Sequence, residues 1–179
     1  MRLNKNTTPE VVAESVRSTC HVKPAYRGND NMSNGKKITG DQNMSISKAW
    51  EWNEEKNQIW LTPSEESYFI SNRWKNQGFK LLLDFGCGLG RHSIYFAGQG
   101  FNVSAFDLSE DGTKYLCNWA KKENLNIDVT VADMLSLPYS DETFDCLFGF
   151  HVISHTDTTG IKIILNEVKR VIKPQGEIY

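Results

Sequence analysis

Leu81-Leu82-Leu83-Asp84-Phe85-Gly86-Cys87-Gly88-Leu89-Gly90 carries an apolar strand into an acid and then into three alternating glycines. Glycine tolerates positive φ and has no Cβ, so the chain can reverse sharply here and bring bare backbone against a ligand. A helix over about Arg91 to Gln99 is predicted to follow, with its amide-rich N-terminus aimed at that ligand. Strand, turn and helix in this order point to an α/β fold with a nucleotide-type site and make a cofactor-using enzyme the leading reading.

The glycine spacing separates two kinds of cofactor. A dinucleotide site prefers G-x-G-x-x-G, whose third glycine lets the helix pack on the strand beneath a pyrophosphate. Here the pattern is G-x-G-x-G, with Arg91 where that third glycine would stand. The carboxylate of Asp84 would repel a pyrophosphate and attract an ammonium or sulfonium. An NAD-dependent reductase is therefore disfavoured, and a cationic amino-acid nucleotide fits better.

The rest of the chain repeats the alternation. Gly100 to Asp107 reads as a second strand ending in an acid, with Leu108 next, and an acid about 20 residues past a glycine turn is placed to accept hydrogen bonds from ribose hydroxyls. Ile127 to Val131 reads as a third strand leading into Ala132-Asp133-Met134, and Phe144 to Phe150 as a fourth. Ser109 with Glu110 and Asp111 opens a helix that ends near Lys121-Lys122, with Leu116 and Trp119 expected to face the sheet. From Thr159, Ile161, Ile164, Leu165, Val168 and Ile172 recur at helical spacing until Lys173-Pro174 stops the helix. These alternations predict a Rossmann-like, doubly wound parallel sheet.

With these motifs in place the chain, over about Trp50 to Tyr179, resembles the class I S-adenosylmethionine-dependent methyltransferases. Their first motif is an apolar run followed by D/E-x-G-x-G-x-G. Gly90-Arg91-His92-Ser93, Asp107-Leu108-Ser109, Leu137-Pro138-Tyr139 and Thr143-Phe144-Asp145 are similar in wording to the small-molecule type 11 group, with some likeness to the tellurite-resistance type. The resemblance implies S-adenosylmethionine as cofactor and methyl transfer to a small-molecule acceptor. It implies that Asp84 holds the amino end, directly or through water, and that Gly86, Gly88 and Gly90 form the cradle, with Cys87 packing near the cofactor. Asp107 would bind ribose and Asp133 the adenine amine, while Leu108 and Met134 sandwich the ring. Arg91 is expected either at the cofactor carboxylate or in a local ion pair. His151 is expected near the methionine end, and His151 or His155 could act as general base if the acceptor needs one. Phe150-His151-Val152-Ile153-Ser154-His155 stands where amino-type nucleic-acid enzymes carry an Asn/Asp-Pro-Pro-aromatic run, so a base amine is not the expected target. A noncatalytic binder of the same cofactor, or a defunct truncated methyltransferase fragment, is the alternative.

With 179 residues and 39% hydrophobic content the chain can bury one core. A net charge of −2 gives no general basic field for nucleic acid. Neither a long apolar segment nor a signal-peptide h-region is seen, so no membrane partner and a cytoplasmic location are expected. Cys20, Cys87, Cys117 and Cys146 are scattered without zinc-ligand spacing and read as reduced thiols, with no metal expected.

Residues 1–43 hold seven Lys/Arg against four Asp/Glu and only Tyr26 of the aromatics, so they are expected to be a disordered, dispensable extension. Residues 44–78, rich in aromatics (Trp50, Trp52, Trp60, Tyr68, Phe69, Trp74), are expected to form a helical cap, including a helix from about Pro63 to Asn76 with Ser64 as its N-cap. Those rings either cover the sheet or hold a sulfonium or amine by cation–π attraction. Residues 79–179 would be the cofactor-binding core. The sequence ends at Glu177-Ile178-Tyr179, within the expected fifth strand, which predicts a core truncated after that strand, an exposed edge, weak stability and self-association through the edge.

Overall fold

The computed structural model describes residues 20–24, 47–50, 52 and 58–179. Its elements are β1 (Val22–Lys23), α1 (Glu65–Asn76), β2 (Leu81–Phe85), α2 (Arg91–Gly98), β3 (Asn102–Asp107), α3 (Glu110–Lys122), β4 (Ile127–Val131), β5 (Phe144–Gly149), α4 (Thr158–Val171) and β6 (Ile172–Ile178), with short 3-10 turns at Gln58–Trp60 and Ile153–His155. The sheet order is β1-β4-β3-β2-β5-β6, and every pairing is parallel. This is the expected doubly wound, Rossmann-like sheet. The strand order reverses beside β2, and in such sheets ligands settle outside the carboxyl ends of the strands at that point.

Alternating residues of each strand feed opposite faces. Leu82, Val103, Ala105, Cys146 and Phe148 meet Trp74 of α1, Phe96 of α2 and Leu116 of α3 in one buried cluster. Leu83, Phe85, Phe106 and Leu147 meet Ile164, Val168 and Val171 of α4 in the other. In α1 the buried residues are Ser67, Ile70, Ser71 and Trp74, the spacing of one helical face. Trp119, expected on the sheet, is only half-buried and packs edge-on against Tyr115 instead. Leu165 is 59% exposed, so α4 uses a narrower stripe than its apolar spacing suggested.

Several motif residues serve the frame. The Asp145 carboxylate accepts from the backbone N–H groups of Lys80 and Leu81, each at 2.8 Å, and so fixes the entry of β2. Glu177 of β6 accepts from Arg73 at 2.8 Å and from the Trp74 indole at 3.0 Å, which ties α1 to the sheet edge. Ser64 is the N-cap of α1, but its hydroxyl makes no cap bond. At α3 the Ser109 hydroxyl does cap, accepting from the Gly112 N–H. Lys173-Pro174-Gln175-Gly176 lies within β6 at a register irregularity, with Gln175 at φ 68°.

Two features depart from the sequence reading. Val22–Lys23, inside the stretch expected to be a disordered extension, pairs with Val129 and Thr130 of β4; most of residues 1–43 lie outside the described residues. Cys20 and Cys117, read as reduced thiols, form a disulfide with a Cα–Cα distance of 5.5 Å. Pairing of β1 beside β4 brings Cys20 over α3, a proximity that sequence spacing cannot reveal. Cys87 and Cys146 are free and buried. No helix among the described residues is long and apolar enough to cross a membrane.

Candidate cofactor site

The apolar β2 strand ends at Phe85, and the chain then turns through Gly86 and Gly88, at φ 69° and 53°. The Cys87 N–H donates to the Phe106 carbonyl at 2.8 Å, so the turn is stitched to the end of β3. A Cβ on Gly88 would overlap the Trp52 indole, and one on Gly86 would lie 2.5 Å from Val152 Cγ1. The bare backbone of the turn is thus required by close approach as well as by φ.

A cavity of about 290 Å³ opens above this turn, close to the lower end of the roughly 300–1,000 Å³ usual for small-molecule sites. Its wall includes Gly86, Cys87, Gly88, Arg91, Asp107, Leu108, Met134, His151 and His155 from the sequence-predicted set. Asp84, Gly90 and Asp133 lie off that wall.

At the end of β3, Asp107 accepts from the Gly88 N–H through Oδ2 and from the Ser109 N–H through Oδ1, both at 2.8 Å. Two of the carboxylate's four or so lone-pair positions are used, which leaves acceptor capacity toward the cavity. Burial raises its pKa above the usual carboxylate value, against the pull of the Ser109 and Gly88 N–H groups. Asp84 is buried beneath the turn, where it accepts a hydrogen bond from the Ser93 hydroxyl at the start of α2. Burial pushes its pKa up to about 7. Asp133 accepts from Ser47 and from the Leu135 N–H, while its neighbours Ala132 and Met134 supply the apolar cavity wall.

Arg91 Nη1 donates to the carbonyls of Ile59 at 2.6 Å and Thr62 at 3.3 Å. Its guanidinium carbon stands 5.6 Å from the Trp60 ring centroid and 5.5 Å from that of Phe150. His151, at φ 59°, sets its ring edge-on to Phe150, and His155 packs against Trp50 at 5.6 Å. Burial drives the Cys87 thiol well above its usual pKa, so it is a poor nucleophile and reads as a packing residue.

The sequence reading assigned no role to His92 or Val152. His92 Nε2 accepts the Ser64 N–H at 3.1 Å, and burial, followed by the nearby Arg91 charge, pulls its pKa down to about 3. It stands within Gly90-Arg91-His92-Ser93, but nothing in the spacing distinguishes a neutral buried imidazole. Val152 carries no sequence signal at all. Trp52 belonged to the aromatic-rich stretch, although its seat on Gly88 could not be read there.

The residues present fit an adenine nucleoside with a charged amino-acid tail. A buried carboxylate has spare acceptor capacity, and the Trp52 indole N–H is buried with no hydrogen-bond partner among the described residues. Apolar Leu108, Ala132 and Met134 complete the wall.

Residues 82–176 match the methyltransferase domain family. A ubiquinone biosynthesis O-methyltransferase of Rickettsia akari is 36% identical over 95 residues, which is 53% of this chain and 37% of that protein. The crystal structure of PH0226 from Pyrococcus horikoshii superposes with a TM-score of 0.55 at 28% identity, covering 66% of this chain and 56% of that one. TehB from Haemophilus influenzae superposes with a TM-score of 0.56 at 26% identity, covering 62% and 39%. The chain spans less than two thirds of the length of each of these relatives.

Proposed function

The chain belongs to the methyltransferase domain family, and from that footing we propose that it is an S-adenosylmethionine-dependent methyltransferase acting on a small-molecule acceptor. The observation that carries this reading is Asp107, buried at the end of β3 and bonded to both Gly88 and Ser109 while it faces the cavity. Asp107 holds the ribose, the turn through Gly86 and Gly88 lines the cavity beside it, and Leu108 and Met134 cover the ring. Asp84 supports the turn from beneath through its hydrogen bond from Ser93.

S-adenosylmethionine supplies a methyl group on an already activated sulfonium. The chain's own contribution is to align the acceptor and exclude water, an effect that can amount to about 7–11 kcal/mol. His151 and His155, both on the cavity wall, are the groups able to take a proton from the acceptor. Substituting both with Asn tests them: unchanged turnover would remove them as bases. The likeness to a ubiquinone biosynthesis O-methyltransferase of Rickettsia makes small molecules the first acceptors to screen.

Residues 44–78 cap a core at 79–179 in this reading, and β6, on the sheet edge among the described residues, offers a surface for self-association. Sedimentation over a concentration series tests that surface. The sequence leads to the expectation of a cytoplasmic location, whereas the Cys20–Cys117 bridge favours an oxidising compartment. Alkylation and mass measurement on protein taken directly from cells decides between them.

Calorimetric titration of S-adenosylmethionine and S-adenosylhomocysteine into the chain, with Asp107→Ala as control, tests the proposal. Binding that disappears in the control supports it. A folded wild-type chain that binds neither compound would sink it.

A further inference from the structure

The charges on the cavity wall are uneven. Lys48 and Arg91 face it as cations, and Asp107 is its sole carboxylate among the described residues. Asp107 is already engaged with two backbone N–H groups at the glycine turn. Neither Arg91 nor Lys48 makes an ion pair with an acid among the described residues. Resting on the methyltransferase reading above, we infer that the acceptor is an apolar carboxylate, received by the Arg91 guanidinium with Lys48 adding to the positive field.

The geometry of Arg91 carries the inference. Nη1 is anchored by the carbonyls of Ile59 and Thr62, and the guanidinium packs on Trp60 and Phe150. That fixes the plane of the fork in advance. A guanidinium has five N–H donors, and no hydrogen bond among the described residues occupies Nε or Nη2. A half-buried cation with unused parallel donors matches a carboxylate, which can accept two of them side by side.

The same contacts exclude the opposite substrate class. Trp60 and Phe150 could have drawn an amine by cation–π attraction, but both rings already pack against the protein's own cation. An incoming ammonium would meet a guanidinium. Trp50, Trp60 and Phe150 nevertheless line the cavity, so the body of the acceptor is apolar or flat.

The carboxylate could also come from the methionine end of the cofactor, and the experiment separates the two sources. S-adenosylhomocysteine and its decarboxylated analogue are titrated into the wild-type chain, Arg91→Gln and Arg91→Lys. Indole-3-acetate and octanoate are then titrated into the S-adenosylhomocysteine-saturated proteins, each beside its neutral amide and the matching amine. The inference expects S-adenosylhomocysteine to bind all three proteins within about threefold. It expects each carboxylate to bind wild type at least about tenfold more tightly than its amide, with amines weakest. Arg91→Gln should abolish that preference, and Arg91→Lys should keep part of it.

Equal binding of carboxylate and amide to wild type overturns the inference, and that comparison needs no variant to fold. A tenfold loss of S-adenosylhomocysteine in Arg91→Gln, with the decarboxylated analogue unaffected, also overturns it and places Arg91 on the cofactor's own carboxylate. Failure of S-adenosylhomocysteine to bind wild type overturns the methyltransferase reading itself, a result distinguishable from either of these.

Discussion

Val152 Cγ1 stands 2.5 Å from the point that a Cβ on Gly86 would occupy, so the loop after β5 closes directly onto the turn after β2. Two neighbouring strand ends thereby share one packed contact at the switch point of the sheet. Gly86→Ala meets a double penalty. Its φ of 69° disfavours a Cβ by about 1–2 kcal/mol, and overpacking against Val152 adds about 1–3 kcal/mol. Val152→Ala in the same chain should recover the packing share and leave the backbone share. Urea unfolding of both single variants and the double variant measures the coupling, and strictly additive losses would contradict the contact.

Asp84 and His92 titrate in opposed directions across one pH range. Burial raises Asp84 to about 7, above its unfolded value, so its contribution is present at low pH and is lost as pH rises from about 4 toward 7. Burial lowers His92 to about 3, so its contribution is present above about 6.5 and is lost as pH falls toward 3. Each slope approaches about 1.4 kcal/mol per pH unit, and the two offset one another. The Asp84 and His92 contributions should therefore nearly cancel between about pH 4.5 and 6.5. Asp84→Asn should make stability rise with pH, and His92→Phe should make it fall. Chemical denaturation at several pH values reads this directly, and identical profiles for the two variants would refute it.

The sheet was legible because its strands are short apolar runs that end at acids or glycines, and its helices carry caps and 3.6-residue spacing. Leu81–Phe85, Ile127–Val131 and Phe144–Gly149 lie where alternation and turn residues placed them, to within a residue. Gly86, Gly88 and Asp107, marked in the sequence by backbone reversal and a strand-end acid, lie together on one cavity wall, and Met134, named through the family resemblance, joins them there. Val22–Lys23 and the Cys20–Cys117 bridge were not legible, because a two-residue strand has no period and a disulfide joins residues 97 apart. Neither was the seat of Trp52 on Gly88, which is a tertiary contact made by a residue in an irregular segment.

The bridge between Cys20 and Cys117 should hold β1 on the sheet. A two-residue strand with one partner strand among the described residues cannot secure itself, and closing a loop across a separation of 97 residues is worth about 4–5 kcal/mol in the chain-entropy account. Reduction, or Cys20→Ser, should lower the urea midpoint strongly. β1 should then exchange its amide hydrogens quickly while β2, β3 and β5 stay protected. An unchanged midpoint after complete reduction, verified by alkylation of both thiols, would rule out this role.

Asp107 gives the sharpest separation of fold from function. Its carboxylate accepts from Gly88 and Ser109, so Asp107→Asn sets an amide NH₂ against a backbone N–H and leaves one donor facing another. The cost to stability should be about 1–3 kcal/mol, small enough for the chain to stay folded. Loss of the acceptor that faces the cavity should weaken S-adenosylhomocysteine and adenosine alike, by about 10- to 100-fold. Burial raises the Asp107 pKa, so wild-type affinity should also fall as the solution is made acid and the carboxylate gains a proton. Calorimetry across pH on both proteins would show a pH-dependent affinity in wild type and a flat, weak one in the variant. A variant that bound adenosine as tightly as wild type would remove Asp107 from the ribose.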